Sequence, residues 1–410
     1  MDVRSRGGIL AAVNEKTEER HASWLELFFD LVAVAGVGQL THLVHGSSSW
    51  SGAGLYVLCF LAFWTAWMCF TVYGNTTGDA AHVLPVLLGM VGLVFMAASV
   101  AGIREGHAVV FAVAYLAVRA LASRLWEGRR GHEVRVVVDW PVVHAGASVT
   151  PWIVSIWVDG PSRYVLWAIG LGLDLLLTFT RVGEWFTGSL SARLAHRDSA
   201  RRVRRGHEPA LVKPAQARLD MAHFGERLGL FTIIVLGEGV LTVTQTIAEI
   251  PEWHAALYWT VIAALVLLAT LWSSALRRGF AGIPHLSQDK AGPRVVLPLH
   301  CLVVGLLAVL AGGLGDVVEA AEHGHVEPAT RWLLSGCVAA FVVIGAASGL
   351  ASGREPRWAV GELVTGLVIP AWLGFFGGEV TPVQFLCLLV VAVGASLVGD
   401  LLARRKRRRH

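Results

Sequence analysis

Acidic side chains within long apolar stretches are the residues of this sequence best suited to chemistry. Glu26 and Asp30 lie four residues apart in WLELFFDLVAVAGVGQL, and a helix places both carboxylates on one face. A charged side chain at the centre of a membrane costs about 2.5–3.5 kcal/mol on insertion scales, so two carboxylates in one low-dielectric site need a proton, a base or a cation. The pair is therefore a candidate for proton coupling. The plainer interpretation is that Glu26 reaches the interface and Asp30 makes a structural hydrogen bond between helices.

A second apolar stretch, HFGERLGLFTIIVLGEGVLTVTQTI, carries a longer polar stripe. Arg227 and Glu238 are eleven residues apart, so on a helix they are nearly eclipsed and about 16 Å apart along the axis. Gln245 continues the stripe, and Glu238 lies near the middle of the stretch. This pattern indicates the lining of a polar path between helices. The alternative is a helix-packing network around the glycines on either side of Glu238.

Five further residues complete the candidate site. Asp174 lies in the middle of another apolar stretch, and Glu226 directly precedes Arg227. We assign both to the same substrate or proton pathway, with His21, Asp79 and His223 in supporting positions that the family resemblance described below implies. The sequence alone does not place these side chains next to one another.

The elements that position these residues are predicted to be transmembrane helices. The chain of 410 residues is 55% hydrophobic and 16% charged, with a mean hydropathy of +0.59, and its apolar stretches have the length that a helix needs to cross a bilayer. The predicted fold is an all-α polytopic bundle. Its twelve predicted spans are 24–44, 52–73, 81–101, 107–126, 139–158, 163–182, 226–247, 254–276, 294–314, 329–350, 357–376 and 381–401.

The distribution of Lys and Arg predicts how the spans are oriented. Alternate gaps between them are poor in these residues, with Arg104 almost the only base, whereas the other gaps, except 74–80, and the tail ARRKRRRH are rich in them. Because positive residues mark the cytoplasmic side, both termini are predicted to be cytoplasmic. The organisation is six spans in 1–182, a basic cytoplasmic connecting segment in 183–222, and six spans in 223–410.

Missing motifs argue against several classes of function. The sequence contains no Walker A loop, no GxGxxG between a strand and a helix, and no HExxH or GxSxG motif, so we expect no cofactor, no metal centre and no ATP hydrolysis in this chain. The six basic residues after the last span predict contact with membrane lipids, including anionic headgroups, and not nucleic acid. The other expected partner is a small-molecule or lipid substrate.

Three segments resemble one family. RHASWLELFFDLVAVAGVGQLTHLV at 20–44, HFGERLGLFTIIVLGEGVLTV at 223–243 and YGNTTGDAAH at 73–82 are similar to signature segments of the bacterial low temperature requirement A (LtrA) proteins. Related sequences usually have two adjacent acids followed by Arg in the third segment, where this chain has only Asp79. The resemblance implies a multi-pass protein of the bacterial cytoplasmic (inner) membrane, associated by name with growth in the cold, but it supplies no chemistry. The residues carried over are His21, Glu26, Asp30, Asp79, His223, Glu226, Arg227 and Glu238.

These observations favour an ion-coupled transporter of a small solute that uses intramembrane carboxylates. One alternative is an integral membrane enzyme that acts on a lipid or isoprenoid, with carboxylates as general acid and base in a groove open to the bilayer. Another is an accessory protein that stabilises membrane partners. A lipid-open groove around the acids would favour the enzyme, and an aqueous path the transporter.

Overall fold

The computed structural model describes residues 21–43, 50–77, 83–127, 136–138, 146–179, 196, 199–200, 204, 215–217 and 219–407. Twelve α-helices can be bounded in this part of the chain. They are α1 Trp24–Gln39, α2 Trp50–Thr77, α3 Val83–Val100, α4 Ala108–Glu127, α5 Gly146–Val154, α6 Pro161–Phe179, α7 Met221–Glu249, α8 Ala255–Trp272, α9 Pro293–His323, α10 Pro328–Ala351, α11 Pro356–Phe376 and α12 Pro382–Arg407. Two short strands, β1 Val136–Val138 and β2 Ala215–Ala217, pair in parallel.

Shorter helical turns extend several of these helices. Turns of 3-10 helix occupy Leu40–Leu43, Ser155–Trp157, Gln288–Lys290 and Gly377–Glu379, and turns of π-helix occupy Ile103–His107 and Ser273–Arg277. Capping side chains and prolines mark the first residues of several helices. Ser23 and Glu26 form a capping box at the start of α1, and the Asp220 side chain accepts from two backbone N–H groups at the start of α7. Proline at the first position opens α9, α10 and α11.

The predicted class of fold is confirmed. In the part of the chain that the structure describes, eight helices, namely α2, α3, α4 and α7 to α11, are long and apolar enough to cross a membrane. The described part of α1 has 16 residues and that of α5 has nine, so these helices are shorter than a typical span. Twelve helices lie close to the twelve predicted stretches, but the division into six and six spans stays a prediction. Most of the connecting segment 183–222 lies outside the described residues.

Helices α1 and α7 lie side by side and run in the same direction. Glu26 near the start of α1 contacts Arg227 near the start of α7. Further along, the Glu238 carboxylate lies against Gly38, where an added Cβ would stand 2.8 Å from Glu238 Oε2. Since residue numbers rise together along both helices, the pair is parallel. Five bounded helices separate them in the chain, and a parallel pair in a membrane requires an odd number of crossings between its members.

Helix α7 also packs along α9, again in parallel. The His300 ring lies 3.1 Å from the Leu228 carbonyl oxygen through Nε2, and an added Cβ at Gly315 would contact Thr242. The ring of Trp67 in α2 packs against the ring of Phe231 in α7, tilted by 36° and with centroids 3.9 Å apart. The core of the molecule therefore lies where α7 meets α1, α2 and α9.

The loop between α8 and α9 enters the bundle. Residues 281–286 are all buried. Gly282, with a φ of +77°, packs so closely on Thr232 that a Cβ would contact its hydroxyl, and Thr232 lies eleven residues, about 16 Å, along α7. Non-helical backbone at this depth is tolerated only where protein buries it. Ala281 and His285 have φ of 56° and 57°, so the loop holds two strained residues.

Candidate functional site

Two carboxylates from α1 share one guanidinium from α7. Arg227 Nη2 donates to Asp30 Oδ1 over 2.5 Å, and Nη1 lies 3.4 Å from Glu26 Oε1. Asp30 has no solvent exposure, Arg227 is 1% exposed and Glu26 is 8% exposed. With His223 uncharged, the cluster has two negative charges and one positive charge, so it carries one net negative charge in a buried position.

The donors to Asp30 all converge on one of its two oxygens. Trp67 Nε1 donates to Asp30 Oδ1 over 2.7 Å, which is the atom that also accepts from Arg227. Oδ2 is buried and has no hydrogen-bond partner in the described structure. A fully buried carboxylate oxygen without a donor is unusual, because leaving a buried polar atom unpaired costs about 1–3 kcal/mol.

Both carboxylate oxygens of Glu26 lie beside groups that carry N–H or O–H bonds. Its Oε2 accepts from the backbone N–H and the hydroxyl of Ser23 over 2.8 and 2.9 Å, and His223 Nε2 lies 3.5 Å from the same oxygen. Its Oε1 faces Arg227. Each of these neighbours presents an N–H or O–H group, so the environment suits a carboxylate.

His223 is linked to α2 through Asn75. Asn75 Nδ2 lies 3.0 Å from His223 Nδ1 and 3.0 Å from the Asp220 carbonyl oxygen, and Asn75 Oδ1 accepts from the Asp220 backbone N–H over 2.9 Å. The amide therefore joins α2 to the first turn of α7.

A cavity of about 30 Å³ borders this cluster. Glu26 and Arg227 contribute the charged part of its wall, together with Ser23, and Phe29, Phe70 and Tyr73 are among its ring-bearing lining residues. The volume is enough for one water molecule and its walls offer polar partners. A water here would contact the charged cluster, whereas a larger solute does not fit.

Glu238 lies apart from the cluster. Its side chain is partly exposed and, within the described structure, makes no hydrogen bond or ion pair. The absence of a side chain at Gly38 makes room for its carboxylate. Between the two acidic positions, α1 and α7 bury apolar residues: Val34 and Val37 on one helix, and Phe231 and Val235 on the other. An apolar layer thus separates Asp30 from Glu238.

Asp174 belongs to a different cluster. It accepts from Arg119 Nη2 over 3.1 Å and from the Tyr115 hydroxyl over 3.4 Å, and Ser148 also hydrogen-bonds to it. Both members of the ion pair are buried. The sequence places Asp174 in the same pathway as Asp30, but the structure joins it to α4 and α5.

The remaining predicted residues have varied surroundings. Glu26, Asp30, His223 and Arg227 form the main cluster. Glu226 Oε1 lies 3.2 Å from His21 Nδ1, at the exposed edge of this cluster. Gln245 is exposed on α7. Asp79 lies outside the described residues. The structure thus brings His21, Glu26, Asp30, His223, Glu226 and Arg227 together, leaves Glu238 further along the same helix pair, and separates Asp174.

Several residues of these clusters were missed by sequence reasoning, among them Trp67, Asn75 and Arg119. Trp67 and Asn75 lie in a long apolar stretch in which an uncharged side chain gives no strong signal. Arg119 did give a signal, because a base in the middle of the apolar sequence AVVFAVAYLAVRAL is as costly as an acid. Its position was the available clue that Asp174 has a basic partner.

Comparison with known proteins supports the resemblance read from the sequence. The family described as "Bacterial low temperature requirement A protein (LtrA)" matches residues 21–398. The chain is 29% identical over 306 residues to a protein of Rhizobium meliloti (strain 1021) described as "Uncharacterized protein RA0937", covering 73% of this chain and 68% of that one. No solved structure matches the chain.

Proposed function

We propose that this chain, which belongs to the bacterial low temperature requirement A (LtrA) family, is a proton-coupled transporter of a small solute in the bacterial cytoplasmic membrane. The observation that carries the proposal is the geometry of Asp30. Both of its donors bind Oδ1, while Oδ2 is buried and unpaired in the described structure.

This geometry gives a proton one place to bind. Oδ1 faces two N–H groups and has no room for a hydrogen of its own, so a proton taken up by Asp30 resides on Oδ2. Protonation there leaves Glu26 and Arg227 as a pair of opposite charges. The cluster then changes from one net negative charge to neutral, which lowers the cost of keeping it in a membrane.

The position of the cluster suits alternating access. Asp30 and Glu26 come from α1, and Arg227 comes from α7, in the other half of the sequence. Transporters built from two helical halves bind their substrates and ions where the halves meet, and they move one half against the other. Such a movement between α1 and α7 separates Arg227 from Asp30, and proton binding weakens the attraction that opposes it.

Glu238 supplies a second proton position. It lies near the middle of the 29-residue helix α7 and faces α1 beside Gly38. The apolar layer between Asp30 and Glu238 blocks a continuous water path in this conformation. Two carboxylates on opposite sides of such a layer can exchange protons with different sides of the membrane.

The lipid-directed alternative receives less support. The structure has an apolar groove between α3 and α4, with Leu88, Phe95, Val113 and Leu121 in its wall. No carboxylate is among its lining residues. A groove of this kind offers hydrophobic contact but no general acid or base.

Reconstituted vesicles that contain a pH-sensitive dye test the proposal. We expect wild-type vesicles to take up protons when members of a panel of small amines, carboxylates and sugars are added outside. Asp30→Asn and Glu238→Gln should abolish this uptake, whereas Glu249→Gln, the same change at an exposed position on α7, should preserve it. Wild-type vesicles that take up no protons with any solute of the panel, or a Glu238→Gln protein that matches wild type, would contradict the proposal.

A further inference from the structure

We propose that Asn75 holds His223 as the neutral tautomer with its hydrogen on Nε2, which makes His223 a positioning residue for Glu26 and not a proton carrier. This inference rests on the proposed function only for its consequence in transport. The tautomer itself follows from hydrogen bonds that join α2 to the first turn of α7.

The orientation of the Asn75 amide is fixed by backbone groups. The Asp220 N–H can only donate, and it lies 2.9 Å from Asn75 Oδ1, so that atom must be the oxygen. The Asp220 carbonyl can only accept, and it lies 3.0 Å from Nδ2. A flipped amide would place two acceptors together and two donors together. Both contacts therefore select the same orientation.

The fixed amide then selects the tautomer of the ring. Asn75 Nδ2 donates only, and it lies 3.0 Å from His223 Nδ1, so Nδ1 must accept and carries no hydrogen. The one hydrogen of the neutral ring is therefore on Nε2. A charged ring would place an Nδ1–H group against the N–H groups of the amide, inside a site where His223 is 1% exposed.

The hydrogen on Nε2 faces Glu26. Nε2 lies 3.5 Å from Glu26 Oε2, the oxygen that accepts from Ser23, while Arg227 faces the other oxygen. His223 Nε2 has no hydrogen-bond partner in the described structure, so its N–H acts on Glu26 as a nearby dipole and not through a hydrogen bond. Among the described residues, the charged groups near His223 are Glu26 of α1, Arg227 one turn along α7, and the Asp220 carboxylate, which accepts from the His223 backbone N–H. In this arrangement Glu26 has N–H and O–H groups on both oxygens.

The result is a division of roles between the two carboxylates. Glu26 is the permanent counter-charge of Arg227, held by Ser23 and His223. Asp30, with its free Oδ2, is the group that changes its charge. A histidine beside two acids in a membrane is an obvious candidate for a proton shuttle, but the contacts of Asn75 oppose that role.

Nitrogen-15 NMR of the full-length protein, labelled at histidine and held in lipid nanodiscs, tests the tautomer without any solute. The His223 signals are identified by their loss in His223→Gln. We expect a protonated Nε2 and an unprotonated Nδ1, as the contacts of Asn75 require. A protonated Nδ1 in the wild-type protein overturns the proposal, whether or not any variant folds.

A substitution of Asn75 tests whether this residue determines which ring nitrogen of His223 carries the hydrogen. Asn75→Asp replaces the donor that faces Nδ1 by an acceptor, so the ring should gain a hydrogen on Nδ1. Thr71→Val, one turn earlier on α2, removes a hydroxyl that binds only the Trp67 carbonyl and should leave the His223 signals unchanged. An Asn75→Asp protein that folds and keeps the wild-type signals contradicts the role of Asn75.

Transport measurements separate this inference from the proposed function. A glutamine at 223 can still donate to Glu26, so the proton-to-solute ratio should persist in His223→Gln while the rate falls by about tenfold or less. Loss of proton coupling in His223→Gln, to the level of Asp30→Asn, would show that His223 carries the proton. If no solute drives protons in the wild type, the proposed function fails while the NMR result still decides the tautomer.

Discussion

Trp67 donates its indole N–H to Oδ1 of Asp30 over 2.7 Å, in a position where neither residue is exposed to solvent. The bond joins α2 to α1, and packing of the same indole on Phe231 joins α2 to α7. One side chain thus connects the three helices that surround the charged cluster, and it leaves Asp30 Oδ2 without a donor.

We predict that Trp67→Phe lowers the free energy of unfolding by about 1–3 kcal/mol, because a buried carboxylate loses one of its two donors. Trp64→Phe on the same helix removes a longer bond, of 3.4 Å, to an uncharged acceptor on His300, and should cost less. A thiol-reactive dye can follow unfolding in detergent through the buried free cysteines. Equal melting temperatures for the two variants would argue against a special role for the Trp67 bond.

Gly38→Ala should impair proton coupling without unfolding the protein. The new Cβ would stand 2.8 Å from Glu238 Oε2, so the carboxylate must move away from α1. Gly237→Ala is the matched control, since it adds the same methyl group beside Glu238 in sequence but meets nothing within 4 Å. Vesicle proton uptake should fall strongly in the first variant and stay normal in the second. Normal uptake in Gly38→Ala would mean that the contact between Gly38 and Glu238 is dispensable.

Gly74→Ala should disturb the main cluster, because the added methyl group approaches Glu26 and Arg227 from α2. An added Cβ would stand 2.6 Å from Glu26 Oε1 and 3.2 Å from Arg227 Nη1, and the buried pair cannot move towards water. We expect Gly74→Ala to lower the melting temperature. Gly54→Ala, on the same helix with nothing within 4 Å, should raise it, because alanine favours a helix by about 0.5–1 kcal/mol over glycine. A stabilised Gly74→Ala protein would show that the cluster is loosely packed.

The sequence revealed the main cluster because charge in an apolar stretch is costly wherever the helix lies. Glu26, Asp30 and Arg227 were found in this way, whereas His223 was carried over from the family resemblance. Trp67 and Asn75 were not, because their roles depend on which helix lies beside them. Arg119 was a costly charge in an apolar stretch and so could have been found, but its pairing with Asp174 joins α6 to α4 and could not be predicted from either stretch alone.

Helix boundaries followed hydropathy where composition changes sharply. The clearest difference is α9, predicted as 294–314 and observed as Pro293–His323. Its last turns contain Asp316, Glu319 and Glu322, and charged residues lower the mean hydropathy without opposing a helix. The helix ends where Gly324 adopts a left-handed conformation with φ of +79°, a stop that depends on backbone geometry.

The ion pair of Arg119 and Asp174 should contribute to folding and not to proton coupling. It is buried and both members are paired, so Asp174→Asn should destabilise the protein by about 3–5 kcal/mol through the charge left on Arg119. The double variant Arg119→Met, Asp174→Leu should recover much of that stability, since it removes both charges. Vesicles that contain the double variant should take up protons normally. Loss of uptake in a well-folded double variant would return Asp174 to the pathway.

The buried loop between α8 and α9 should depend on Glu362. This carboxylate accepts from Arg354 over 2.5 Å, and its other oxygen lies 3.1 Å from Nε2 of His285, one of the two strained residues of the loop. Glu362→Gln removes the charge that holds both, so the strained backbone should relax and residues 279–286 should exchange amide hydrogens faster. Glu355→Gln changes an exposed pair with Arg357 and should leave exchange in the loop unchanged. Hydrogen exchange read by mass spectrometry measures both variants, and equal protection of the loop in the two would show that packing on Thr232 alone holds it in the bundle.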